Sequence, residues 1–164
     1  MSPSPPPHLQ DGALLPLLGR QLRLRLRRLY PSRVRQVGGE LWAPLTLTDP
    51  NQLEAALEQW YRQRARHELN QRLEHWAKIV QVSVSGLSIR GPRTRWGSCS
   101  ARGRINLNWR LLWLPEELVD YVLVHELCHR HQMNHSPAFW SLVQHHVPDW
   151  QRRRRQLAQV KSLW

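Results

Sequence analysis

The chain has only two cysteines, Cys99 and Cys128, among 164 residues. That excludes a disulfide framework. Both read as reduced thiols, the state expected of a cytoplasmic protein. No apolar run approaches the roughly 20 residues of a membrane span. Leu14-Leu15-Pro16-Leu17-Leu18 is too short, follows a Pro-rich acidic start and lacks a cleavage pattern, which argues against a signal peptide. Acidic residues are scarce too: 12 Asp and Glu stand against 24 Lys and Arg, a formal net charge of +12. A surface this basic is drawn to polyanions, nucleic acid included. A solvated basic surface with no dedicated partner has the same composition, and no base-reading motif accompanies the charge.

The hydrophobic fraction of 41% is enough for a core, and nine Trp supply large aromatic anchors for it. The length suits one domain. Residues 1–12 are rich in Pro and Ser and cannot form a core. Residues 1–19 are therefore expected to be disordered or loosely attached, and 20–164 to form a single domain.

Leu22, Leu24 and Leu26 alternate with Arg23, Arg25 and Arg27, the period of a half-buried strand with its arginines outward. Tyr30-Pro31-Ser32 and Gly38-Gly39 read as turns flanking a strand at Arg33–Val37, and a further strand is expected at Glu40–Trp42. Asp49-Pro50 starts a helix, and the spacing of Leu53, Leu57, Trp60, Tyr61, Ala65, Leu69, Leu73 and Trp76 carries it to Ile79. Val80–Val84 and Leu87–Arg90 look like strands. Trp96-Gly97-Ser98-Cys99 reads as a turn packed by Trp96, with Gly97 marking a bend or a close backbone approach. Ala101-Arg102-Gly103 is a hairpin turn returning into a strand at Arg104–Trp109. On that strand Asn106 and Asn108 share one face and are candidates for orienting substrate; buried polar structure explains them equally well. The strand itself is expected at a sheet edge.

The strongest chemical signal is His125-Glu126-Leu127-Cys128-His129, an H-E-x-x-H pattern in a largely apolar helix that starts at Pro115-Glu116-Glu117 and ends near Asn134. Two histidines four apart lie one turn apart on one helix face and can share a zinc ion, with Glu126 placed to take a proton from a water at the metal. A site that does chemistry needs three protein ligands and an open position. His135 is the best third ligand, because Ser136 reads as an N-cap and Pro137 as the first residue of a new helix, which puts His135 at the corner. His131, six residues past His125, is about 240° round the helix and faces elsewhere. Cys128 reads as a small core residue. The last helix carries Arg152-Arg153-Arg154-Arg155, which circle it and make no stripe.

Three stretches together, Arg95-Trp96-Gly97-Ser98-Cys99-Ser100, Ile105-Asn106-Leu107-Asn108-Trp109-Arg110-Leu111, and H-E-x-x-H with Asn134-His135-Ser136-Pro137-Ala138-Phe139-Trp140, resemble the YgjP-like metallopeptidase family of bacteria. That family is related to the SprT/Spartan-type proteases and the minimal gluzincins. The resemblance covers residues 20–160 and implies an α+β, zincin-like domain: a small twisted sheet packed on a helical core with the H-E-x-x-H helix at the site. It implies zinc, one ion per chain, on His125, His129 and His135, with Glu126 as catalytic base. The function expected is a zinc-dependent metallopeptidase acting on peptides or unfolded protein. The alternatives are a DNA-associated protease of the SprT/Spartan kind, suggested by the charge, and a metal-stabilised binding module that does not cleave. The last has no need of Glu126.

Overall fold

A computed structural model describes residues 8–28 and 32–160. Strands β1 (Leu14–Leu17), β2 (Arg20–Arg27), β3 (Arg35–Val37) and β4 (Glu40–Pro44) form one sheet in the order β1-β2-β4-β3. β2 and β4 run parallel, and the two outer pairs are antiparallel. The leucine and arginine alternation works as expected. Leu22 and Leu24 are buried, while Arg25 and Arg27 reach Glu40 on the other face. β3 begins two residues later than the sequence suggests, and Tyr30-Pro31 lies outside the described residues.

β1 corrects the expectation of a loose segment up to residue 19. Leu15 and Leu17 are 4% and 6% exposed. Pro16 sits in an outer strand, where a missing N–H costs no ladder bond, and its carbonyl accepts the Tyr61 hydroxyl at 2.6 Å. Burial pushes the Tyr61 phenol far above its ordinary range, so it stays a donor. Tyr61→Phe leaves that carbonyl without its donor, and the expected loss is about 1–2 kcal/mol in urea unfolding. An unchanged midpoint would mean that β1 is not held through this bond.

Helix α1 (Pro50–Val80) is capped by Asp49, whose side chain accepts from the Asn51 N–H. It buries Leu53, Leu57, Tyr61, Ala65, Leu69 and Leu73, one face at helical spacing. It ends at Gln81 in the left-handed region, φ 61°. The strand expected at Val80–Val84 does not form. Val80 closes the helix, and Val82 and Val84 pack on the core from an irregular segment whose Ser83 carbonyl accepts from Arg130 Nε.

A second sheet contains β5 (Gly86–Arg90), β6 (Gly97–Cys99) and β7 (Arg104–Asn108), in the order β5-β7-β6. β6 and β7 make the expected hairpin, with Gly103 at φ 84° in its turn. β7 also pairs in parallel with β5. It is therefore the central strand, which corrects the expectation that it lies at an edge and rules out substrate pairing along it. Among the described residues the outer strands of this sheet are β5 and β6, and β6 reads from sequence only as a turn. Trp96 is buried beside it, as expected.

After a short 3-10 helix (Trp109–Trp113) come α2 (Glu116–Cys128), α3 (Pro137–His146) and α4 (Trp150–Val160). α2 buries Leu118, Val119, Val122, Leu123, Val124 and Leu127 between α1 and the second sheet. It stops at Cys128, six residues short of Asn134, with His129 as its C-cap still in helical geometry. Arg72 of α1 bridges Glu116 and Asp120. Arg152 pairs with Glu117 and Asp149, and Arg153 with Asp149, which fastens α4 to the start of α2. The architecture is α+β, as expected.

Candidate metal centre

His125 lies in the last turn of α2 and His129 at its C-cap, so both imidazoles leave the same face. His135 precedes the N-cap of α3, where the Ser136 hydroxyl accepts from the Phe139 N–H. That corner swings His135 back over the end of α2. The ligand atoms of His125, His129 and His135 all lie within 4.8 Å of one another. The Nε2 atoms of His125 and His135 are 3.3 Å apart. Nitrogens at about 2.0–2.1 Å from a tetrahedral zinc ion are themselves about 3.3–3.4 Å apart, so this pair fits such an ion. His129 Nδ1 lies 3.0 Å from the Gln132 carbonyl and donates to it, which leaves Nε2 unprotonated and aimed inward.

The surroundings favour the neutral form of His125 and His129. Burial, and then the neighbouring His129, His135 and Arg154, push His125 down to about 3. Burial also lowers His129. An aromatic wall fixes the rings in place. Phe139 stacks on His129 with centroids 4.5 Å apart, and Trp140 stacks on His135 at 5.8 Å. Trp140 stacks in turn on Trp150 at 4.3 Å. His131 faces away, with Nε2 3.0 Å from the Val80 carbonyl, as its position on the wheel requires. Cys128 is fully buried outside the cluster.

Glu126 is 7% exposed, and burial raises its carboxyl to about 7 against the opposing pull of Arg95. It sits against β6. A Cβ on Gly97 would stand 3.1 Å from Glu126 Cγ and 3.2 Å from both the Asn106 carbonyl and a Leu107 methyl. Gly97 is thus a close approach between this outer strand and the acid, one of the two roles its sequence context suggests. Gly97→Ala is expected to keep the metal and lower turnover by up to about 100-fold, because sub-ångström misplacement of a reacting group is that costly. Metal analysis beside kinetics checks this. Unaltered turnover would show that the contact has no bearing on the site.

Asn106 and Asn108 separate. Asn108 is 1% exposed and entirely occupied: Nδ2 donates to the Pro92 and Arg95 carbonyls, and Oδ1 accepts from the Arg110 N–H. It anchors the loop ahead of β6, the structural reading of that residue. Asn106 donates to Ser98 Oγ and lines a cavity of about 450 Å³ with Arg90, Arg95 and Ser98. Sequence reasoning assigned no role to Arg95 or Arg154 and read β6 as a turn; the signals it had were Gly97 and the family-like stretch Arg95–Ser100.

Three imidazoles whose ligand atoms converge, with a buried carboxylate one residue from the first, make a cluster that could hold a metal ion on an α+β scaffold. The model of the YgjP-like metallopeptidase domain matches residues 2–160, and the chain belongs to that family. It is a metallopeptidase domain. No curated protein matches it. Among solved structures it is similar to the metallopeptidase zymogen of Pyrococcus abyssi abylysin, at 28% identity over 57% of this chain and 91% of that one, with a TM-score of 0.48. Among the described residues, no helix is long and apolar enough to cross a membrane.

Proposed function

We propose that the protein is a zinc-dependent peptidase in which His125, His129 and His135 hold the ion and Glu126 is the general base. The observation that carries this is the convergence of the three histidine nitrogens beside a buried carboxylate. Zinc there would lower the pKa of water and polarise a peptide carbonyl. Glu126 takes a proton at its carboxylate oxygen from the attacking water and returns it to the departing amine nitrogen. Among the described residues no fourth His, Cys, Asp or Glu joins the cluster, which favours an open catalytic position over a closed structural one.

Substrate fits the outer edge of β6. Pairing along Gly97–Cys99 puts an extended backbone beside Glu126 without a demand on side-chain identity. Extended peptides and unfolded proteins are the substrate class this supports. Cys99 and Cys128 are both free, which supports a cytoplasmic setting. The test is hydrolysis of an unfolded protein such as casein by the zinc-loaded protein. Cleavage should stop with a chelator and return with zinc; cleavage that persists after complete metal removal overturns the reading.

A further inference from the structure

Four successive arginines on α4 have different surroundings. Arg152 and Arg153 are tied to Asp149, and Arg152 also to Glu117. Arg154 has no ion-pair partner among the described residues. Its Cζ lies 5.1 Å from the centroid of Trp140, the ring that stacks on His135 and also meets His125 at 5.7 Å. An indole face holds a guanidinium in place through its quadrupole, so this cation is pre-positioned on the rim of the metal centre. Its charge is felt at His125 and at Tyr121, behind that ligand. Across the site Arg95 is felt at Glu126, and it too forms no ion pair among the described residues. The indole contact therefore sets the Arg154 cation beside the three histidines, with Glu126 as the buried acid of the centre.

We infer that Arg154, held over Trp140 beside the three histidines, is a specificity-determining residue that receives a substrate carboxylate close to the scissile bond. This rests on the peptidase reading. The carboxylate is either an Asp or Glu side chain or a free C-terminus, both of which a guanidinium binds in the same forked geometry. A pre-positioned cation that has no ion pair among the described residues gains a charge-assisted bond on binding and loses little side-chain freedom.

The experiment uses extended fluorogenic peptides that differ only by Glu or Lys at successive positions, each with a free or an amidated C-terminus. Cleavage points are mapped by mass spectrometry. The zinc-loaded protein is compared with Arg154→Glu and with Arg155→Glu, which changes net charge equally from the neighbouring exposed position. At one position relative to the cut, or at the C-terminus, the parent should favour the carboxylate by about fivefold in kcat/KM, the scale of a single partly exposed ion pair. Arg154→Glu should reverse that ratio and Arg155→Glu should not. Peptide Kd values on a Glu126→Gln background should shift in parallel, a readout free of turnover. Selectivity that follows the side chain assigns the site to acidic residues; selectivity lost on amidation assigns it to the C-terminus. Equal shifts in both arginine variants, or no shift in either, overturn the inference. Failure to cleave any peptide, with binding selectivity intact, would instead count against the peptidase reading.

Discussion

Glu126→Gln is expected to yield a protein that binds zinc, cleaves far more slowly and, once stripped of metal, is more stable at pH 8 than the parent. Loss of turnover follows because the amide cannot accept the proton, and general-base removal costs about 10²–10⁴-fold. The stability change follows from burial. The folded carboxyl titrates at about 7 against an ordinary 4.5. Between those values the folded protein keeps a proton that the unfolded chain gives up. Stability therefore falls as pH rises through that window and stays reduced above it. Glutamine has no such proton to lose. The variant should gain up to about 3 kcal/mol at pH 8 and little near pH 4.5. Chelator-treated samples unfolded in urea at the two pH values measure this. An equal gain at both would show that Glu126 is not an ionising group held out of water. In the metal-loaded protein the ion's positive charge offsets much of this penalty, so the difference should shrink on adding zinc.

Removal of single ligands should have the largest effect on metal content. His125→Ala and His129→Ala are expected to lose zinc on dialysis. His135→Ala should weaken binding by more than about 100-fold, above the range seen when only a supporting partner of a ligand is lost. His131→Ala, four residues from His135, should bind zinc like the parent while losing the contact with the Val80 carbonyl. Competition titration with a chromophoric chelator gives each affinity. Full affinity in His135→Ala with reduced affinity in His131→Ala would exchange their roles. His135 is the informative case because it comes from outside the helix, and its place depends on where α3 begins.

That placement was legible in the sequence because it is local chemistry. Four-residue spacing puts His125 and His129 on one face, and the Ser136-Pro137 cap fixes the corner that carries His135. α1 was legible for the same reason, from Asp49-Pro50 and a long apolar stripe. The misreadings share a cause, which is that pairing partners distant in sequence decide them. Residues 14–17 look like part of a loose start until Arg20–Arg27 and Tyr61 supply β1 with neighbours. Arg104–Asn108 looks like the outer half of a hairpin until Gly86–Arg90 joins its other side in parallel. Val80–Val84 alternates like a strand but finds no strand partner among the described residues, and the helix takes its first residue. Gly97 announces a close approach without naming what approaches. Arg154 is indistinguishable from its neighbours in sequence; only the orientation of α4 gives it Trp140 and the metal centre.

The stacked indoles of Trp140 and Trp150 give this centre an optical consequence. Two such chromophores at 4.3 Å and 17° couple their electronic transitions and give a paired circular-dichroism band distinct from that of isolated tryptophans. Trp140 also stacks on His135, so a cation drawing on that imidazole perturbs the coupled pair directly. Metal binding at the centre is therefore expected to change the protein's own near-ultraviolet circular dichroism, with no label attached.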